Sequence, residues 1–153
     1  MMFHVIDDDE CLRELVVELL ESSGYVANSY SSPHEYVDYL KSDNYLFPTA
    51  TFTDIQMPGM SGYELIDIIR EKFPEQKIVV MSGYHEGDAA MRNTSCHFLP
   101  KPFIPQQLFA IADALIRCNK EGLPAANSTC SRVTKESSLY NWSCPLDCSE
   151  CGK

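Results

Sequence analysis

Five times in succession, a short apolar run in this chain is followed by a more polar stretch, and most of those stretches carry apolar residues at three- and four-residue spacing. A short continuous apolar run suits a buried strand and a period near 3.6 suits a helix, so the repeated switch specifies strands alternating with helices around a parallel sheet. Residues 3–6 form the first strand, followed by a helix carrying Leu12, Leu15, Val16, Leu19 and Leu20 that Gly24 ends. Residues 25–29 form the second strand. Ser32-Pro33-His34-Glu35 then supplies an N-cap serine, a proline at the first helical position and a capping-box glutamate, opening a helix that runs to about Lys41. Residues 50–54 make the third strand, Pro58-Gly59-Met60 turns the chain, and Ser61-Gly62-Tyr63-Glu64 is a second capping box that starts a helix reaching Lys72. Residues 78–81 are the fourth strand. A short, weak helix is expected around residues 86–94, then a fifth strand at 97–99, and a last helix marked by Leu108, Ile111, Ala112 and Leu115.

The alternation stops near Arg117, and the composition changes there. Residues 1–117 hold 18 acidic and 8 basic residues, so they carry all of the chain's net charge of −10, whereas residues 118–153 hold four of each. The first segment is read as one domain and the second as a polar, cysteine-rich tail, too short of aliphatics to bury a core of its own. An anion of this size lacks the basic face that phosphate contact needs, which argues against direct nucleic-acid binding. No apolar run approaches a membrane span and no basic-then-apolar leader opens the chain, so the expected location is cytoplasmic, without membrane insertion.

In an open parallel sheet, functional groups gather at the carboxyl edge of the strands. Strand one ends here in Asp7-Asp8-Asp9, strand three in Asp54, strand four in Ser82, and strand five in Lys101-Pro102. Each feature alone has an ordinary explanation: acids at a helix N-terminus, an aspartate capping a turn, a solvated lysine. Their convergence does not. In a doubly wound five-stranded sheet of flavodoxin-like order 2-1-3-4-5, with helices on both faces, the ends of strands one, three and five are brought together. Three carboxylates would then face one another, an arrangement that a hard divalent cation with oxygen ligands relieves, and the site reads as Mg²⁺-binding.

Four stretches in family-like order and spacing carry a resemblance: Val5-Ile6-Asp7-Asp8-Asp9 with Arg13-Glu14-Leu15; Thr53-Asp54-Ile55-Gln56-Met57-Pro58-Gly59-Met60-Ser61-Gly62; Val80-Met81-Ser82-Gly83; and Phe98-Leu99-Pro100-Lys101-Pro102-Phe103. Together they resemble the receiver (CheY-like) domain of bacterial two-component response regulators, over roughly residues 2–117. The resemblance implies that Asp54 is the phosphoacceptor and that Asp7 and Asp8 hold Mg²⁺ with it, Gln56 adding its backbone carbonyl. It implies that Ser82 bonds a phosphoryl oxygen, that Lys101 contacts the phosphoryl group, and that Phe98 is the aromatic switch. Phosphorylation by a sensor histidine kinase or phosphotransfer protein follows, with self-catalysed transfer and hydrolysis as the only chemistry. Output passes to a downstream protein target, since the 36 residues after Arg117 are too few and too polar for a helix-turn-helix module. Two features depart from the family pattern. Phe98 stands where tyrosine is common, so the switch acts by packing alone, and the interval from Ser82 to Lys101 is shorter than usual by about one helical turn.

Cys130, Cys144, Cys148 and Cys151 place four thiols within 22 residues. That spacing suits a Zn²⁺ knuckle, an iron–sulfur cluster is chemically open to it, and a tail of free thiols is the plain alternative. A redox or metal sensor with the receiver fold as scaffold is therefore the rival function. Cys11 and Cys96 are expected as small core-facing residues and His4 and His97 as partly buried neutral histidines, while Tyr140 and Trp142 either anchor the tail or meet a partner.

Overall fold

The computed structural model describes residues 1–83 and 97–120, with side chains described as far as residue 116. Five parallel strands form one sheet in the order β2-β1-β3-β4-β5, from β1 (Met2–Ile6), β2 (Val26–Tyr30), β3 (Ala50–Asp54), β4 (Ile78–Ser82) and β5 (His97–Pro100). The helices are α1 (Glu10–Ser22), α2 (Pro33–Lys41), α3 (Gly62–Lys72) and α4 (Pro105–Lys120). The expected fold is the observed one. The short helix around residues 86–94, Cys96 and the tail beyond Lys120 lie outside the described residues.

The helices start where the caps specify. Asp9 accepts from the Leu12 amide at the head of α1, and Ser61 and Glu64 form a complete reciprocal capping box at the head of α3. At α2 the expected box is incomplete. Ser32 accepts from the Glu35 amide, but the Glu35 carboxylate reaches one residue further back, to the amide and hydroxyl of Ser31. Proline at the first helical position leaves one fewer amide there to satisfy. At its other end α2 is held by α3, whose Lys72 ammonium donates to the Leu40 carbonyl at 2.7 Å.

The two faces of the sheet are built differently. On one, Phe3, Val5, Phe52, Val79 and Met81 pack against Val16 and Leu20 of α1 and Leu108, Ala112 and Leu115 of α4 in a purely apolar layer. Each of these side chains larger than alanine contributes about 1.5–3 kcal/mol on burial. Leu15 was expected in this layer but is exposed, and Cys11, expected to face the core, is exposed too. Both lie in the first two turns of α1, near the active edge of the sheet, where the buried stripe narrows to Val16 and Leu20.

Beneath α2 and α3 the apolar layer of Ile6, Leu65, Ile66, Ile69 and Ile78 is joined by a polar cluster. The Tyr36 hydroxyl stands within 3.0 Å of His4 Nδ1 and of Gln76 Nε2, and 3.3 Å from the hydroxyls of Tyr45 and Thr51. Gln76 Nε2 also donates to Thr51 at 2.6 Å, and Tyr45 donates to Gln76 Oε1 at 2.6 Å. Arg70 fixes the chain that carries Gln76 by donating to the carbonyls of Pro74 and Gln76. His4, fully buried, meets the rings of Tyr30, Tyr36, Tyr39 and Tyr45.

Burial lowers the His4 pKa to about 4, and its Nε2 finds no hydrogen-bond partner among the described residues, so a charged ring would bury an unpaired N–H. His97 is also lowered to about 4, first by burial and then by the charge of Lys77. Both histidines are buried and neutral, as expected. The unfolded chain binds these two protons near pH 6.5 and the folded chain only near pH 4, so stability is full above pH 6.5 and falls as pH drops through that window. Each histidine contributes about 1.4 kcal/mol per pH unit there. Urea titrations across pH 4–6.5 should show His4→Gln with a shallower loss than wild type by about that amount per unit; parallel curves would contradict a neutral, buried His4.

Candidate functional site

The register of the sheet assembles the site. Ile6 pairs with Thr53, so Asp7 stands level with Asp54, and Ser82 pairs with Pro100, so Lys101 leaves β5 just beyond Ser82. The Lys101 amide donates to the Ser82 carbonyl at 2.8 Å, and its peptide bond to Pro102 is cis. Its side chain returns over the sheet edge, where Nζ donates to Asp7 Oδ2 at 2.9 Å and to Asp54 Oδ1 at 3.1 Å. One carboxylate oxygen from each of Asp7, Asp8 and Asp54 lies within 4.8 Å of the others.

The three aspartates of the first loop divide the work. Asp9 caps α1. Asp7 is buried, its Oδ1 accepting from the Asp9 amide at 2.9 Å and its Oδ2 from Lys101, while its backbone carbonyl accepts from Arg13 Nη1 at 2.7 Å; each carboxylate oxygen keeps a lone pair for a metal ion. Asp8 is exposed and gives the cluster its opening to solvent. Gln56 is exposed in the loop after β3, Ser82 is buried at the end of β4, and Phe98 is half-buried on β5, packed against the layer beneath α2 and α3. Cys130, Cys144, Cys148 and Cys151 lie outside the described residues.

Electrostatics make the cluster cation-seeking. Burial raises the Asp54 pKa above the ordinary carboxylate value and the Asp7 charge adds to this, with Lys101 opposing. For Lys101, burial pulls the pKa down, but hydrogen bonds and charge from Asp7 and Asp54 outweigh it and hold the ammonium charged. One ammonium faces three carboxylates, leaving a deficit of two positive charges. An octahedral Mg²⁺ shell at about 2.1 Å sets opposite oxygens about 4.2 Å apart, so this donor set suits such an ion after small side-chain adjustments.

Three contributors had no role assigned from the sequence. Arg13 and the Asp9 amide, which fix Asp7, belong to no spacing rule. Gly62 has no assigned role in the sequence beyond its place in a capping box and at the end of a family-like stretch, yet a Cβ there would lie 2.1 Å from the Asp54 carbonyl oxygen and 2.8 Å from Ile55 Cα. The first turn of α3 is pressed against the backbone of Asp54, and the Gly62 amide donates to the Ile55 carbonyl at 2.8 Å. Beside the cluster, an open pocket of about 410 Å³ is lined by Asp9, Leu12, Leu15, Lys101, Pro102 and Phe103.

The doubly wound sheet gathers an acidic cluster and a lysine at its carboxyl edge, the layout of a receiver domain. The chain belongs to the response regulator receiver domain family of two-component signalling, whose profile matches residues 3–113. Among curated proteins it is 34% identical over 116 residues to the transcriptional regulatory protein FixJ of Azorhizobium caulinodans, covering 72% of this chain and 53% of FixJ. It is 27% identical over 135 residues to the DNA-binding transcriptional regulator NtrC of Klebsiella pneumoniae, covering 86% of this chain and 28% of NtrC. The chain thus spans about half of one relative and about a quarter of the other. Among solved structures it resembles the receiver domain of NtrX from Brucella abortus (26% identity, TM-score 0.67, 75% of this chain and 98% of that one). It also resembles the response regulator TrrA from Thermotoga maritima, solved in complex with Mg²⁺-BeF (28%, TM-score 0.66, 74% and 97%). No helix among the described residues is long and apolar enough to cross a membrane.

Gly62→Ala should force α3 away from Asp54. We expect a loss of about 1–3 kcal/mol in stability, the usual cost of overpacking, together with slower labelling of the protein by a small acyl phosphate. Wild-type stability and labelling in this variant would show that the contact yields freely.

Proposed function

We infer that Asp54 accepts a phosphoryl group from a histidine kinase or phosphotransfer protein. The observation that supports this most directly is the pairing of the half-buried lysine Lys101 with both Asp7 and Asp54 inside a three-carboxylate cluster. An Asp54 carboxylate oxygen attacks phosphorus, the bond from phosphorus to the donor imidazole nitrogen breaks, and the imidazole keeps the electron pair and takes a proton from solvent. The product is an acyl phosphate on Asp54, later hydrolysed by water. Negative charge on the transferred group dominates the barrier. Lys101 meets part of that charge through Nζ. Mg²⁺, held by Asp7, Asp8, Asp54 and the Gln56 backbone carbonyl, would supply the remainder when bound.

Phosphorylation puts an acyl phosphate of about −1.5 to −2 where the carboxylate carried −1, so negative charge rises at one strand end. Ser82, at the end of β4, donates its hydroxyl to a phosphoryl oxygen. Phe98 then turns toward the space that Ser82 leaves, and the change passes to the surface as packing, because phenylalanine has no hydroxyl to report its position. Exposed Leu15 lines the pocket beside Lys101, and exposed Ile104 follows its lining residue Phe103 in the chain; both give an incoming donor protein apolar footing. The net charge of −10 disfavours phosphate backbones, so output is placed in protein–protein contact, in the cytoplasm.

Asp54→Asn should abolish labelling by a small acyl phosphate while leaving the fold and its stability intact; labelling at the wild-type rate would sink the assignment. Excess chelator should stop labelling, and Asp8→Ala should reproduce that loss in the presence of Mg²⁺. Leu15→Asp should slow transfer from a partner phosphohistidine about tenfold, the equivalent of about 1.4 kcal/mol of docking, and leave labelling by the small donor unchanged. Equal slowing with both donors would locate the effect in the chemistry instead.

A further inference from the structure

Six large apolar side chains are exposed among the described residues, and they fall at two opposite ends of the sheet. Leu15 and Ile104 flank the phosphoacceptor edge. Met1, Val26, Leu46 and Phe47 occupy the other end, where the strands begin. There the Val26 amide donates to the Met1 carbonyl, the Thr49 amide donates to the Met2 carbonyl at 2.7 Å, and the Phe47 ring stands edge-on to Phe73 at 5.5 Å. Val26, Leu46 and Phe47 are 55, 59 and 48% exposed, so this is an apolar ledge of the kind that marks a contact surface.

The described chain ends at the same pole. α4 runs back from the carboxyl edge, and the Tyr25 hydroxyl, one residue before β2, donates to Asp113 at 2.9 Å. The seven residues from Asp113 to Lys120 carry the helix about 10 Å further in that direction. Thirty-three residues follow, and their only aromatic rings, Tyr140 and Trp142, sit with Leu139 in a stretch without charge between Glu136 and Asp147.

We propose that the segment Leu139–Trp142 covers the ledge formed by Met1, Val26, Leu46 and Phe47, at the pole opposite Asp54. Eighteen residues separate Lys120 from Leu139, a spacer whose root-mean-square span is roughly 25 Å, enough to reach the ledge from the end of α4. Tethering at that length gives an effective concentration on the order of millimolar, which favours the chain's own segment over a second copy at micromolar concentration. The contact is apolar and sets no demand on the charges of either partner. It also holds the tail's thiols at the end of the sheet remote from phosphoryl transfer.

Trp142 is the only tryptophan of the full chain, so its fluorescence reports the contact directly. In the 153-residue chain shown to be monomeric by light scattering, Trp142 should emit to the blue of the urea-unfolded chain and resist acrylamide quenching. Leu46→Ser with Phe47→Ser should move its emission and quenching to the unfolded values with the far-ultraviolet circular dichroism unchanged, whereas Leu15→Ser with Ile104→Ser should not. Should the double variant lose its circular dichroism, Val26→Ser, on the far side of the ledge, provides the same reading. The proposal is overturned by a Trp142 as accessible in the native chain as in urea, by shielding that disappears on dilution together with a dimer, or by release from the Leu15 and Ile104 changes instead.

Discussion

The Lys101 ammonium, seated between Asp7 and Asp54, is the contact on which the rest of the site depends. Three strands deliver those groups, and without a cation between them their charges would push the carboxyl edge apart. Asp7, Asp8 and Asp54 sum to −3 and Lys101 returns +1, so the bare site carries −2, the amount one divalent ion cancels. Replacing the Asp54 carboxylate with a phosphoryl group of about −2 moves the ion-loaded site from neutral to roughly −1. The site is thus balanced before transfer and in excess of negative charge after it, and a new donor must be recruited to restore the balance. In the proposed cycle that donor is Ser82.

Precision at this edge comes from backbone contact more than from side chains. Gly62 allows α3 to lie directly on Asp54 and Ile55, Arg13 clasps the carbonyl of Asp7, and the Asp9 amide occupies one Asp7 oxygen. The strand that carries Asp54 is thereby held in place, and in the proposed cycle the response to a changed charge on Asp54 falls to β4 and β5, where Ser82 and Phe98 stand.

Much of this was legible in the residues. The switching period gave the five strands and the four helices among the described residues, and the polar exceptions at strand ends pointed to Asp7, Asp8, Asp54 and Lys101. The failures share a cause. Leu15 and Cys11 satisfy a helical period, yet both are exposed, and period alone does not say where the covering layer stops. Glu35 has the right spacing for a capping box, but the turn before α2 offers it Ser31 instead. The closeness of Gly62 to Asp54 is a tertiary fact; a glycine at the first position of a capping box is its only trace in the sequence.

The hydroxyl of Tyr36 has one proton to give and two lone pairs to offer, yet four polar groups from β1, β3 and the segments before β3 and β4 crowd around it. The pattern closes only if Tyr45 spends its proton on Gln76 and Gln76 divides its two between Tyr36 and Thr51. On the opposite face of the sheet an isoleucine can replace a valine with little consequence to its neighbours. Beneath α2, a change at His4, Tyr36, Tyr45, Thr51 or Gln76 strands a buried donor or acceptor unless another of the five changes with it. Over evolutionary time the two faces should therefore drift at different tempos, one residue by residue, the other in concerted steps that rewrite a shared proton pattern.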